Sequence, residues 1–61
     1  MKYGIKRYMD LDSPIWCRTG IGIGKYIIVE DLNEAYRWRI IKYEQYNYNP
    51  KYRYEVEEYK E

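Results

Sequence analysis

The chain alternates most sharply between two kinds of side chain over residues 15–24, which read IWCRTGIGIG. Successive side chains of a β-strand point to opposite faces of the sheet, so a period of two predicts a strand here. The odd-numbered residues of the segment then form a largely apolar face. The opposite face carries Trp16, Arg18, Gly20, Gly22 and Gly24, so its part over residues 20–24 has no side chains.

Three further segments favour strands. Tyr3, Ile5, Met9 and Leu11 share one parity, which the charged side chain of Arg7 interrupts. Residues 25–30 are rich in β-branched and apolar side chains, as buried strands are. Residues 35–46 alternate Tyr, Trp and Ile with other residues, which is the period of a strand. The predicted strands lie within residues 2–11, 25–30 and 35–46, with turns at 12–14 and 31–34.

The last segment is compatible with two structures. As a strand it places Tyr52, Tyr54 and Val56 on one side, whereas as a short helix it begins at the N-cap Asn49 and Pro50. Tyr and Val favour the strand. The sequence thus predicts one small all-β domain over residues 1–61, or a mainly β domain with a short C-terminal helix. Four or five strands would form an antiparallel meander, which could close into an SH3-like or OB-like barrel.

Composition limits what can stabilise this domain. A chain of 61 residues has a marginal core. Cys17 is the only cysteine and there is no histidine, so neither an intrachain disulfide nor a zinc site of the usual kind can form. We therefore expect no metal and no cofactor. The ten tyrosines and two tryptophans instead favour packing against a partner or a second copy.

The charge and hydropathy patterns limit the expected class of partner and the expected compartment. Eleven basic and ten acidic residues give a net charge of +1, which is little for a nucleic-acid binder. No apolar stretch is long enough to span a membrane, and the N-terminal lysines are not followed by the apolar segment of a signal peptide. We expect a protein of the cytoplasm, either of its source cell or of a host.

The sequence matches no catalytic motif, because either the spacing or the residue types do not fit. A phosphate-binding P-loop would need a glycine in place of Thr19 and a hydroxyl residue in place of Tyr26, after the Gly24-Lys25 pair. Ser13 and Thr19 have no histidine to activate them. The sequence therefore predicts that the chain is not an enzyme.

The most distinctive binding surface predicted from the sequence combines basic and aromatic groups. In a strand over 35–46, one face would carry Arg37, Arg39, Ile41 and Tyr43. Such a face could bind a protein, stack nucleic-acid bases, or simply pair its arginines with glutamates of the last segment, Glu55 and Glu57.

The glycine face is the second candidate binding surface. A strand face without side chains allows close approach, either by an aromatic ring of the same chain or by a ligand. As a ligand groove it would use Gly20, Gly22, Gly24 and Lys25, with Trp16 or Tyr26 as walls.

These observations favour a non-enzymatic protein-binding module that forms homo-oligomers or acts on a larger protein. Its size and lack of a catalytic set are typical of small inhibitors, such as those that phages or mobile elements direct against a host enzyme. The alternatives are a small β-barrel nucleic-acid-binding protein and a small-ligand or nucleotide-binding protein.

Overall fold

A computed structural model describes residues 1–60 and shows a mixed fold, in which one helix packs on an open sheet of three strands. Both strand pairs are antiparallel, and β1 lies in the middle of the order β2-β1-β3. The elements follow the chain as β1 Tyr3–Tyr8, β2 Ile15–Trp16, α1 Leu32–Gln45 and β3 Arg53–Glu58.

The central strand separates two different faces of the sheet. On the face covered by α1, Ile5 lies opposite Val56 and Arg7 lies opposite Tyr54 across the β1–β3 pair. Ile5 and Tyr54 are fully buried, as is Ala35 of the helix. Only five apolar side chains are buried among the described residues, so partly buried side chains, most of them tyrosines, complete the core around them.

On the other face of the sheet, an aromatic ring packs directly on a glycine. A Cβ atom on Gly4 would lie 2.9 Å from the ring of Trp16, so only glycine allows this close approach. The same ring is 4.9 Å from that of Tyr59, and the Lys6 ammonium lies 4.8 Å from its centre. The contact between bare backbone and a flat ring that we expected at Gly20–Gly24 is therefore made at Gly4.

The helix begins where the sequence offers a good N-cap. The Asp31 carboxylate accepts a hydrogen bond from the Asn33 amide (3.1 Å), and Glu34 adds negative charge in the first turn. The helix ends before Asn47 and Tyr48, which both have a positive φ. This left-handed turn stops the helix and leads into β3.

One sequence prediction is corrected by this helix. The strand predicted over 35–46 is wrong, because tertiary packing of α1 on the sheet outweighs the strand preference of its Tyr, Trp and Ile residues. The last segment forms the strand β3, which confirms the preferred prediction there and not the alternative of a short helix. Residues 25–30, predicted as a strand, make only isolated bridges at Tyr26 and Val29. The described chain therefore has an open sheet of three strands, and not the predicted meander of four or five strands or an SH3-like or OB-like barrel.

The glycine segment forms a loop instead of a strand. Gly22 and Gly24 have φ values of +70° and +92°, which reverse the chain direction. The turn is closed by hydrogen bonds from the Thr19 amide to the Lys25 carbonyl and from the Gly20 amide to the Ile23 carbonyl. A Cβ on Gly22 would meet nothing within 4 Å, so Gly22 is needed for its backbone conformation and not for a close contact.

Candidate functional site

The predicted Arg/Tyr face is divided by the helix. Arg37 and Ile41 are one helical turn apart on an exposed side of α1, whereas Arg39 and Tyr43 lie on a side that faces the sheet. The strand period of two had placed these four residues on one face. The helical period of 3.6 residues divides them between two sides.

Arg39 and Tyr43 hold the backbone of β3. The Arg39 Nε donates to the Tyr54 carbonyl (2.6 Å), and the Tyr54 amide donates to the Tyr43 hydroxyl oxygen (3.1 Å). The expected pairing with Glu55 and Glu57 does not form, because β3 pairs with β1 and not with residues 35–46. Both side chains thus have a structural role in the described chain.

An apolar stripe instead runs along the exposed part of α1. Leu32, Tyr36 and Ile40 follow one another at intervals of four residues, so they lie one above the other on the helix surface. They are 44%, 50% and 54% exposed. We call these three residues the α1 stripe.

A cleft lies between the glycine loop, the β1–β2 edge and the end of α1. Its volume is about 410 Å³, within the range of about 300–1,000 Å³ that is usual for small-molecule sites. We call it the glycine-loop cleft. It is lined by Arg7, Pro14, Ile15, Trp16, Cys17, Arg18, Gly20, Gly22, Tyr26, Lys42 and Tyr46.

Arg7 supplies a half-buried positive charge to the cleft. Its guanidinium carbon lies 5.0 Å from the ring centre of Tyr52 and 5.8 Å from that of Tyr46, which are cation–π distances. The Arg7 Nε is buried and has no hydrogen-bond acceptor among the described residues. A buried donor without a partner costs free energy, so an acceptor that reached it would bind favourably.

Lys42 is the second cation and is only 1% exposed. Its Nζ donates to the Gly20 carbonyl (3.0 Å) and to the Gln45 Oε1 (2.8 Å), while the Gln45 side-chain amide donates to the Thr19 carbonyl (3.3 Å). These bonds attach the glycine loop to α1. Burial lowers the pKa of Lys42, and the neighbouring charge of Arg7 lowers it further.

Arg18 and Tyr26 form the outer rim of the cleft. The Arg18 guanidinium stacks over the Tyr26 ring at 4.3 Å and donates to the Tyr26 hydroxyl oxygen (3.2 Å). It also donates to the Gly24 carbonyl (2.9 Å). The rim is therefore an ordered, positively charged edge.

The cleft has a one-sided electrostatic character. Arg7, Arg18 and Lys42 all line it, and none of its lining residues is acidic. Cys17 lies in the same wall, but burial raises the pKa of its thiol, so the group stays neutral at pH 7. Within the described chain the three cations therefore have no counter-charge in the cleft wall.

The residues predicted for a glycine-face site are brought together only in part. Trp16, Gly20, Gly22 and the suggested wall Tyr26 line the cleft. Gly24 contributes its carbonyl to Arg18, and Lys25 is exposed and does not line the cleft.

The sequence reasoning missed Arg7, Arg18 and Lys42 as site residues. Arg7 could have been found, because it is the charged residue that interrupts the apolar parity of β1. Lys42 becomes visible only on a helical wheel, where it falls on the same side as Ala35.

No family model, curated protein or solved structure matches the chain. Within residues 1–60, no helix is long and apolar enough to cross a membrane. The same residues contain no group of three or more cysteine or acidic side chains placed to hold a metal ion.

Proposed function

We propose that the chain is a non-enzymatic binding module that docks on a larger protein through the α1 stripe. One observation carries this proposal: Leu32, Tyr36 and Ile40 form a row of half-exposed apolar side chains on a helix whose other side covers the sheet. Soluble proteins seldom expose contiguous apolar surface unless it binds something. An amphipathic helix laid into a partner's groove uses this four-residue spacing.

The composition of the stripe supports a protein partner. Tyr36 combines a large apolar ring with a hydroxyl group, as interface hot spots commonly do. The exposed Arg37 beside it could pair with an acidic group at the rim of an interface. Arg39 is bonded to the Tyr54 carbonyl, which removes one of the two arginines that a nucleic-acid site on this helix would use.

The proposal predicts that single changes in the α1 stripe weaken partner binding without unfolding the protein. Tyr36→Ala should weaken the complex by about 2 kcal/mol, or about thirtyfold. Ile40→Ala should also weaken it, whereas its neighbour Ile41→Ala, which points to another side of the helix, should not. Because all three side chains are partly exposed, melting temperatures should change little.

The measurement combines affinity capture from the source cell with site-specific photo-crosslinking. A photo-reactive phenylalanine analogue in place of Tyr36 should crosslink the captured protein, and the same analogue in place of Ile41 should not. Equal loss of binding in Ile40→Ala and Ile41→Ala would contradict the proposal. A crosslink to a second copy of this chain, with a dimer mass in size exclusion, would replace the larger partner by self-association.

A further inference from the structure

We infer that the glycine-loop cleft binds a small ligand carrying an oxyanion, a carboxylate or a phosphate, whose charged group is held by Arg7 and Lys42. This site is distinct from the α1 stripe and does not depend on the proposed protein partner. The argument rests on the charges, the buried donors and the shape of the cleft.

The first step concerns charge. Arg7, Arg18 and Lys42 converge on one concave surface that carries no acidic side chain. Bringing cations together out of water is unfavourable unless an anion compensates them. Elsewhere in the described chain an arginine does lie beside a carboxylate: Arg53 is 3.7 Å from Glu55. An external anion in the cleft would therefore interact with three cations and with no opposing acidic side chain of the lining.

The second step concerns hydrogen bonds. The Arg7 Nε is buried without an acceptor, and the Lys42 ammonium uses two of its three protons on Gly20 and Gln45. Oxygen atoms of a carboxylate or phosphate accept such charged donors in short, strong bonds. The guanidinium packs on the rings of Tyr46 and Tyr52, and because its Nε is buried, the cleft wall must open slightly for an oxyanion to reach it.

The third step concerns the rest of the ligand. A cleft of about 410 Å³ is larger than an inorganic anion needs. Ile15 and the ring of Tyr26 give its outer part an apolar character. The site thus fits a metabolite-sized molecule with an anionic end and a flat or apolar body.

Four probes test this inference on the intact protein. Adenosine monophosphate and benzoate carry the two candidate oxyanions, while adenosine and benzamide are their uncharged counterparts. We expect at least one charged probe to bind about tenfold more tightly than its neutral counterpart, since charge-assisted hydrogen bonds contribute this much. Which of the two binds distinguishes a phosphate site from a carboxylate site.

Nuclear magnetic resonance gives the decisive readout. The Nε–H signal of Arg7 should move on titration with the charged probe, together with the backbone amides of Cys17, Gly20 and Gly22. Arg7→Gln should reduce the affinity about tenfold. The matched control Arg37→Gln removes the same charge from the exposed helix surface and should bind as the parent does.

A second variant keeps the test valid if Arg7→Gln does not fold. Arg18→Gln removes an exposed rim charge and should weaken the same probe without moving the melting temperature. The inference is overturned if neither charged probe exceeds its neutral counterpart. It is equally overturned if Arg37→Gln loses as much affinity as Arg7→Gln or Arg18→Gln.

Discussion

Single tyrosine hydroxyls have opposite effects in this core. The hydroxyl of Tyr54 is buried and has no hydrogen-bond partner among the described residues. The hydroxyl of Tyr43, whose ring meets that of Tyr54 edge-on at 4.8 Å, accepts the Tyr54 amide. One hydroxyl thus costs free energy of desolvation, and the other contributes a hydrogen bond.

This difference predicts opposite results for the same chemical change. Tyr54→Phe should stabilise the protein by about 1 kcal/mol, because it removes an unsatisfied buried polar group. Tyr43→Phe should destabilise it by about 1 kcal/mol, because the Tyr54 amide loses its acceptor. Urea unfolding of the two variants beside the parent measures both. A loss of stability in Tyr54→Phe would mean that its hydroxyl has an acceptor in solution.

The start of α1 depends on a carboxylate that the sequence analysis assigned to a turn. Asp31 accepts the Asn33 amide and faces the positive end of the helix. Asp31→Ala should therefore lower the free energy of unfolding by about 1 kcal/mol. Asp12→Ala, which removes an exposed carboxylate from the β1–β2 connection, is the control and should change it by less than about 0.5 kcal/mol. Equal stability of the two variants would show that the cap contributes nothing.

Two of the strands could be predicted from the sequence, whereas the helix could not. The shared parity of Tyr3 and Ile5 correctly indicated β1, and Tyr and Val in residues 53–58 correctly favoured β3. The sharper alternation over residues 15–24 gives a strand only at Ile15–Trp16. In α1, apolar residues lie on nearly every side: Ala35 is buried, while Tyr36 and Ile40 are half exposed. The helical period is therefore weak, and the alternation of large apolar residues imitates a strand. Asp31 and Glu34, spaced as in a capping box, were the helix signal that this alternation outweighed.

The glycine residues of the cleft could be noticed in the sequence, whereas its charged residues could not. The sequence singled out Gly20, Gly22 and Gly24 as one face of a strand, whereas the structure places them in a loop, and Trp16, Gly20 and Gly22 line the cleft. The charged residues of the cleft come from three separate parts of the chain. Arg7 and Lys42 are 35 residues apart, and no sequence pattern indicates that they lie side by side. That juxtaposition depends on the packing of α1 over β1.

At the scale of the whole molecule, burial of titratable groups sets the response to alkali. Burial raises the pKa of Cys17 from 9.0 and that of Tyr54 from 10.0. The unfolded chain therefore loses these protons before the folded protein does, which decreases stability as the pH rises above those values. Lys42 acts in the opposite direction, because burial lowers its pKa from 10.5 and the folded protein releases that proton first.

These opposing contributions predict that the free energy of unfolding decreases at high pH. The gain from Lys42 is complete once the pH passes 10.5, whereas the loss from Tyr54 continues above it. Urea midpoints should therefore decrease from about pH 10.5 upward. Tyr54→Phe should make this decrease shallower, since one of the groups that titrate is gone; the Tyr8 hydroxyl, whose pKa its hydrogen bond to Glu57 raises, remains. An identical decrease in the variant and the parent would place its origin elsewhere in the chain.

The bonds that attach the glycine loop to α1 also determine when the loop can form during folding. They join Gly20 to Lys42 and Thr19 to Gln45, across sequence separations of 22 and 26 residues. Both bonds are made by side chains of α1, so the loop can attach only after that part of the helix has formed. The pairing of β1 with β3 joins residues that are 45 to 55 positions apart, so attaching the loop closes shorter chain segments and costs less entropy than closing the sheet. Because residues 21–26 are exposed, we expect the loop to open in native-state excursions that leave β1 and β3 paired.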